Sequence, residues 1–168
     1  MDTTFPYPAI RLPEGSWWDW DVLASDSGAF RPAAGPDLTY GHGRELLLRD
    51  PAFVSCPTAF HDPVFRAPTP EEPAAVTRHR GEQLTVLVAF EADAHGPEPG
   101  SCVVAAERLE IMREHVLRYW RDDAPPGQRF APWVRPAAHR TGSPAAAPGG
   151  ARTGRPRIRT AGPATPTD

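Results

Sequence analysis

Lysine and asparagine are absent from the 168 residues, cysteine occurs only twice, and no apolar run is long enough to cross a bilayer. Each absence excludes something. All 18 basic residues are arginine, and because the codons of the two missing types are A-rich, the chain reads as the product of a GC-rich bacterial genome. In such a genome arginine fills every basic position, whatever that position is for. Without asparagine there is no acceptor for N-linked glycosylation. The longest apolar run, Val86 to Phe90, is far short of the roughly 20 residues that a membrane-spanning helix needs. The opening Met1-Asp2-Thr3-Thr4 has neither the basic leader nor the apolar stretch of a secretory signal. Together these features predict a cytoplasmic protein with no membrane partner, in which Cys56 and Cys102 are reduced thiols rather than a bridge.

What is present is unevenly spread. Leu, Ile, Val and Phe account for 30 of the 168 residues, close to the level at which chains fail to bury a core, but 26 of them fall between Trp17 and Arg135, with all five tryptophans. Beyond Pro136 only Ile158 is of this kind. Charge divides at the same place: residues 1–136 carry a net −7 and residues 137–168 a net +4. The expected organisation is therefore an extended arm at 1–16, one domain at 17–135, and a disordered Pro/Ala/Gly/Arg-rich tail at 136–168.

Within the domain, Trp17 to Leu23 alternates, with Trp18, Trp20 and Val22 expected on one face of a strand and Asp19 and Asp21 on the other. Gly43 to Asp50, carrying Leu46, Leu47 and Leu48, reads as a short helix stopped by Pro51. The proline-rich stretch from Pro63 to Pro73 reads as a solvated surface loop. Gln83 to Glu91 is the clearest strand, β-branched and apolar on both faces. Ser101 is placed as an N-cap, and Ala105, Leu109, Met112, Val116 and Tyr119 recur at helical spacing, predicting a principal helix at 102–121. Arg129 to Arg135 reads as a last edge strand or an extended segment laid over the core. The fold class expected is α+β: a small, mainly antiparallel sheet packed against that one helix.

The candidate sites are few. Glu91, Asp93 and His95 recur at period two beyond the best strand, so a continuing strand would bring out two carboxylates and an imidazole on one face, the groups of a proton-transfer site. Cys56, His61 and Asp62 are the residue types of a nucleophilic triad, but they lie in one short run between prolines, which reads better as a loop. Trp17, Trp18 and Trp20 serve to anchor a strand, with Trp17 left without an obvious partner. Met112, Val116 and Tyr119 on the expected helix would suit either packing on the sheet or a homo-oligomer contact. No metal-ligand spacing and no cofactor motif is present, so neither a metal nor a cofactor is expected.

In the tail, Thr153-Gly154-Arg155-Pro156-Arg157 is similar to the Gly-Arg-Pro core of an AT-hook. It departs from that pattern at Thr153, where the motif has a basic residue, although Arg152 is adjacent. The resemblance implies that Arg152, Arg155, Arg157 and Arg159 contact the minor groove of nucleic acid, with a strongly salt-dependent affinity. The functional expectation is a small non-enzymatic binding or interaction protein whose tail contacts nucleic acid or an acidic protein. The alternative is a small enzyme using Glu91, Asp93 and His95 at the end of the strand 83–91.

Overall fold

Six antiparallel strands close on themselves in the computed structural model, which describes residues 7–81 and 85–136. In chain order the elements are β1 (Asp19–Ser25), β2 (Ala29–Gly35), β3 (Gly41–His42), β4 (Arg44–Ser55), β5 (Ala59–Arg66), α1 (Glu71–Arg80), β6 (Val86–Asp93), β7 (Gly100–Met112), β8 (His115–Leu117) and β9 (Gln128–Phe130). The barrel runs β1-β2-β4-β7-β6-β5 and returns to β1 through the pairs Asp19 with His61 and Asp21 with Ala59. A small second sheet, β3-β8-β9, pairs β3 with β8 antiparallel and β8 with β9 parallel. The short turns 26–28, 56–58 and 94–99 all lie at one end of the barrel, here the hairpin end. The longer connections, with β3 and α1, leave from the other, here the rim.

The α+β expectation is overturned. The stretch 102–121 is not a helix but the long strand β7 followed by β8, and Gly43–Asp50 is likewise part of a strand, β4. The reason is that β7 is buried on both faces. Cys102, Val104 and Ala106 point into the barrel, while Val103 and Ala105 point to a covered outer wall. A strand covered on both sides shows no alternation, and its chance four-three spacing then imitates a helix. Met112, Val116 and Tyr119 accordingly form no helical stripe. Pro51 does not stop a helix; it sits at an irregularity in the β4–β7 ladder beside Asp50, whose φ is 50°, a usual place for proline in a sheet.

The segment read as a loop, Pro63 to Pro73, instead begins in β5 and ends in the first turn of a helix, α1, that runs on to Arg80. Glu71 and Glu72 sit in the first turn of α1, Arg78, His79 and Arg80 in the last, which complements the helix dipole at both ends. Pro73 falls within the first turn, where a backbone N–H has no intrahelical acceptor anyway. Gly81 closes the helix at φ 78°, donating its N–H to the Thr77 carbonyl.

A six-stranded barrel is too narrow to be hollow. Its interior is filled by Trp20, Phe30, Leu46, Leu48, Phe60, Val88, Phe90 and Val104. Trp20 stacks on Phe60 at 5.7 Å, and Phe60 and Phe65 each lie 5.1 Å from Phe90. Sites for ligands must therefore be on the outside or at the rim. Two outer walls are covered. Over β6 and β7, Val76 of α1 and Tyr7 of the N-terminal segment bury Leu87, Val103 and Ala105. Over β1, β2 and β4 lies the chain that follows β7, including β8 and β9. No helix among the described residues is long and apolar enough to cross a membrane.

Candidate functional site

Glu45 is the residue around which the second wall is organised. On β4 it alternates with the inward-facing Leu46 and Leu48, so its carboxylate points outward, yet it is almost completely buried because β8 and β9 close over it. A carboxylate in that position must be paired or protonated. It is paired three times: Arg31 of β2 bonds Oε2, Arg129 of β9 donates from Nη2 to Oε1 at 2.7 Å, and His42 of β3 bonds the same Oε1 at 2.7 Å. Burial alone would raise the Glu45 pKa, but the hydrogen bonds from His42 and Arg31 and the charges of Arg31 and Arg129 outweigh it and lower the pKa to about 2.

His42 is equally buried, and its second nitrogen is also occupied. Arg118 Nε donates to His42 Nδ1 at 3.2 Å, while Arg118 Nη1 reaches Asp21 on β1 at 3.0 Å. Because Nδ1 accepts from a guanidinium, it carries no hydrogen, so the ring hydrogen is on Nε2 and is donated to Glu45. The imidazole is thereby held in one orientation with both of its nitrogens engaged. Arg129 Nε extends the chain of charges outward to Glu114 at 2.6 Å. A cavity of about 200 Å³ adjoins this network, walled by Arg31, Glu45, Arg129, Val116, Pro132 and Trp133.

On the other side of His42 is a larger cleft of about 430 Å³ at the barrel rim. The loop 36–43 and the segment from His115 to Arg121 form its sides, and Trp17, Tyr40 and Tyr119 give it aromatic faces. Tyr40 and Tyr119 meet edge to face at 5.8 Å, both exposed. Trp17, which lacked a partner in the sequence reading, has two: its Nε1 donates to the Pro13 carbonyl at 2.9 Å, and the Arg44 guanidinium lies 4.4 Å from its ring centre. Gly41 and Gly43 keep the floor open. A Cβ on Gly41 would stand 2.8 Å from the Val116 carbonyl oxygen, and one on Gly43 would stand 3.0 Å from the Trp17 ring. Gln128 supplies the polar feature: it lines the cleft, and its buried Oε1 has no hydrogen-bond partner among the described residues, a costly state for an acceptor.

The sequence candidates fall elsewhere. Glu91 and Asp93 share the outer face of β6, opposite the inward Val88, Phe90 and Ala92. Glu91 accepts from Arg66 Nε at 2.9 Å, and Arg66 also forks onto Glu72 of α1, with Nη1–Oε2 at 2.9 Å and Nη2–Oε1 at 2.7 Å. Asp93 Oδ1 accepts from the His95 backbone at 2.7 Å, in a turn where His95 has φ 63°. The His95 ring instead meets His61 edge-on at 4.9 Å, and His61 stacks against Trp18 and stands 3.4 Å from Asp19. Glu91 thus belongs to an ion-pair clamp, and Asp93 and His95 to a surface cluster of rings. Trp18 is in that cluster, not in the core beside Trp20 as the alternation suggested.

Among the described residues no group of three or more His, Cys, Asp or Glu could hold a metal ion. Arg152, Arg155, Arg157 and Arg159, with the AT-hook-like segment, lie outside the described residues. The cleft and the Glu45 network were not singled out by sequence. The available signal was local: a histidine between two glycines, followed by one acid at the head of an apolar run, Gly41-His42-Gly43-Arg44-Glu45-Leu46-Leu47-Leu48. Compared with protein-family models, curated proteins and solved structures, the chain matches none of them.

Proposed function

We propose that the chain is a non-enzymatic binding protein of the cytoplasm, whose rim cleft takes a small planar group that donates a hydrogen bond. The observation that carries this reading is Gln128 Oε1, a buried acceptor without a partner, set among aromatic walls in a cleft of ligand size. A planar N–H donor would satisfy the carboxamide while stacking on Tyr40 or Trp17. Binding rather than turnover is favoured by the lining itself. It has no serine, threonine or cysteine, its buried imidazole is committed at both nitrogens, and its second histidine, His115, is exposed.

Indole is a suitable probe. In a ¹H–¹⁵N correlation titration, indole should shift the amides of residues 40–43 and 115–121, and Gln128→Leu should weaken it by up to about tenfold, the worth of one hydrogen bond. N-methylindole, which stacks but cannot donate, should match the weakened value with the unaltered protein. Equal binding of the two probes, or no shifts around the cleft, would overturn the reading.

A separate observation, the step in net charge from −7 to +4 at residue 136, supports a second role for the tail as a contact for nucleic acid or an acidic partner. Replacing Arg152, Arg155, Arg157 and Arg159 together by serine should abolish any salt-dependent retention of duplex DNA by the full chain. Retention that survives the replacement, or that is absent from the unaltered chain, counts against it.

A further inference from the structure

At the hairpin end, remote from the cleft, the two cysteines meet. We propose that Cys56 and Cys102 are a modification site, an oxidisable cross-strand pair that a small peroxide converts to a reversible disulfide. The geometry comes from the ladder between β4 and β7, whose last pair is Ser55 with Val103. Cys56 is the next residue after Ser55 and Cys102 the one before Val103, so the antiparallel register carried one step beyond the ladder sets them opposite, and directly opposed residues have Cα atoms about 4.5–5.5 Å apart, within the range a disulfide spans. Both side chains face the same interior: Cys102 belongs to the buried core and Cys56 packs against it. Neither is bridged in this structure.

The pair is asymmetric in a way that suits oxidation. Cys102 is fully buried, whereas Cys56 is partly open to solvent. Each thiol donates to a carbonyl of its own segment, Cys56 Sγ to Pro57 at 3.3 Å and Cys102 Sγ to Gly100 at 3.7 Å. The nearness of the other sulfur, and then burial, push the Cys56 thiol up, while the same nearness brings Cys102 down. One of the two sulfurs, as its thiolate, attacks one peroxide oxygen, the O–O bond breaks, and hydroxide leaves with a proton as water. The sulfenic acid so formed is then attacked by the other sulfur, the S–S bond forms, the S–O bond breaks, and a second water leaves. Two thiols and one hydrogen peroxide give one disulfide and two waters, with sulfur oxidised and peroxide oxygen reduced.

The test uses the full chain with hydrogen peroxide as the probe, followed by alkylation and mass spectrometry. The expected result is a chain lighter by two hydrogens that no longer takes up alkylating agent, a peptide linking Cys56 to Cys102, and full reversal by dithiothreitol. The bond would tie β7 to the β4–β5 turn and raise the unfolding midpoint by roughly 5–10 °C. In Cys56→Ser, a near-isosteric change at a partly open position, neither the linked peptide nor the loss of two hydrogens should appear. Oxidation that adds oxygen to either sulfur without a link, that joins two chains, or that leaves both thiols free would overturn the proposal.

Discussion

The two covered walls of the barrel are built on opposite principles. Over β6 and β7 the contact is apolar at its centre, Val76 and Tyr7 against Leu87, Val103 and Ala105, and the charged group Arg66 stands at the edge, joining Glu72 to Glu91. Over β1, β2 and β4 the order is inverted: the centre is Glu45 and His42, with Arg31, Arg118 and Arg129 converging on them. An apolar seam is insensitive to small changes of register and to pH. A buried ionic centre gains little net stability, since its Coulomb energy is offset by desolvation, but it tolerates only one arrangement of its partners. The cleft sits on this second side and shares His42 with it, so the wall that is costly to build is also the one that fixes the shape of the proposed binding site.

The largest effects should come from breaking the polar centre. Glu45→Ala would leave Arg31, Arg129 and His42 facing each other without their anion, and is expected to destabilise the fold by about 3–5 kcal/mol, read as a shift in denaturant midpoint at neutral pH. By comparison Val76→Ala, in the apolar seam, removes two methyl groups and should cost roughly 2 kcal/mol. Should the two variants prove equally mild, the contrast between the walls fails.

Acid sharpens the same contrast. Because the folded protein holds the Glu45 pKa at about 2, below its ordinary value of 4.5, the unfolded chain takes up a proton first as pH falls. The stabilisation from Glu45 is then complete above about pH 5 and is lost between there and pH 2, amounting to about 3 kcal/mol in all. Glu45→Gln should flatten this part of the stability curve. Val76→Ala should lower the curve while keeping its slope, and an unchanged slope in Glu45→Gln would show that other carboxylates carry the acid transition.

The same contrast explains what could be read from sequence. The strand at 83–91 was legible, and β6 occupies 86–93, because a short apolar run free of Gly and Pro admits few other readings. Strands β4 and β7 were not, since both of their faces are covered and neither alternates; the apolar spacing that survived was that of a helix. The helix α1 was missed because its prolines were read as breakers, although Pro73 stands in the first turn, where proline is tolerated. For the site, the run from Gly41 to Leu48 drew attention to His42 and Glu45 but did not mark Glu45 as central. Its three partners come from β2, β3 and β9, and nothing local in a chain that uses arginine everywhere marks Arg31 and Arg129 as converging on one carboxylate. The ring cluster of Trp18, His61 and His95 was hidden for the same reason, being assembled from the start of β1, from β5 and from the turn after β6.

At the rim, Gly41→Ala should act on the cleft through backbone. Its Cβ would press on the Val116 carbonyl, a group that cannot rotate away, so β3 must part from β8 and His42 must lose its alignment with Glu45. Loss of indole binding together with roughly 1–3 kcal/mol of stability is expected, the usual cost of overpacking.

The smallest expected effect lies at the end of α1, and it isolates a purely conformational cost. Gly81 has φ 78° and a Cβ placed there would meet nothing within 4 Å among the described residues. Steric contact is therefore excluded as a cause, and Gly81→Ala should cost only the left-handed backbone penalty of about 1 kcal/mol. That cost should be the same at pH 3 and pH 7, because the helix it terminates covers the apolar wall, and no buried carboxylate is touched. A Gly81→Ala variant whose penalty changes with pH would mean that α1 feels a titrating group, Glu72 in its Arg66 clamp or the Glu45 side, and combining it with Glu72→Gln would tell the two apart.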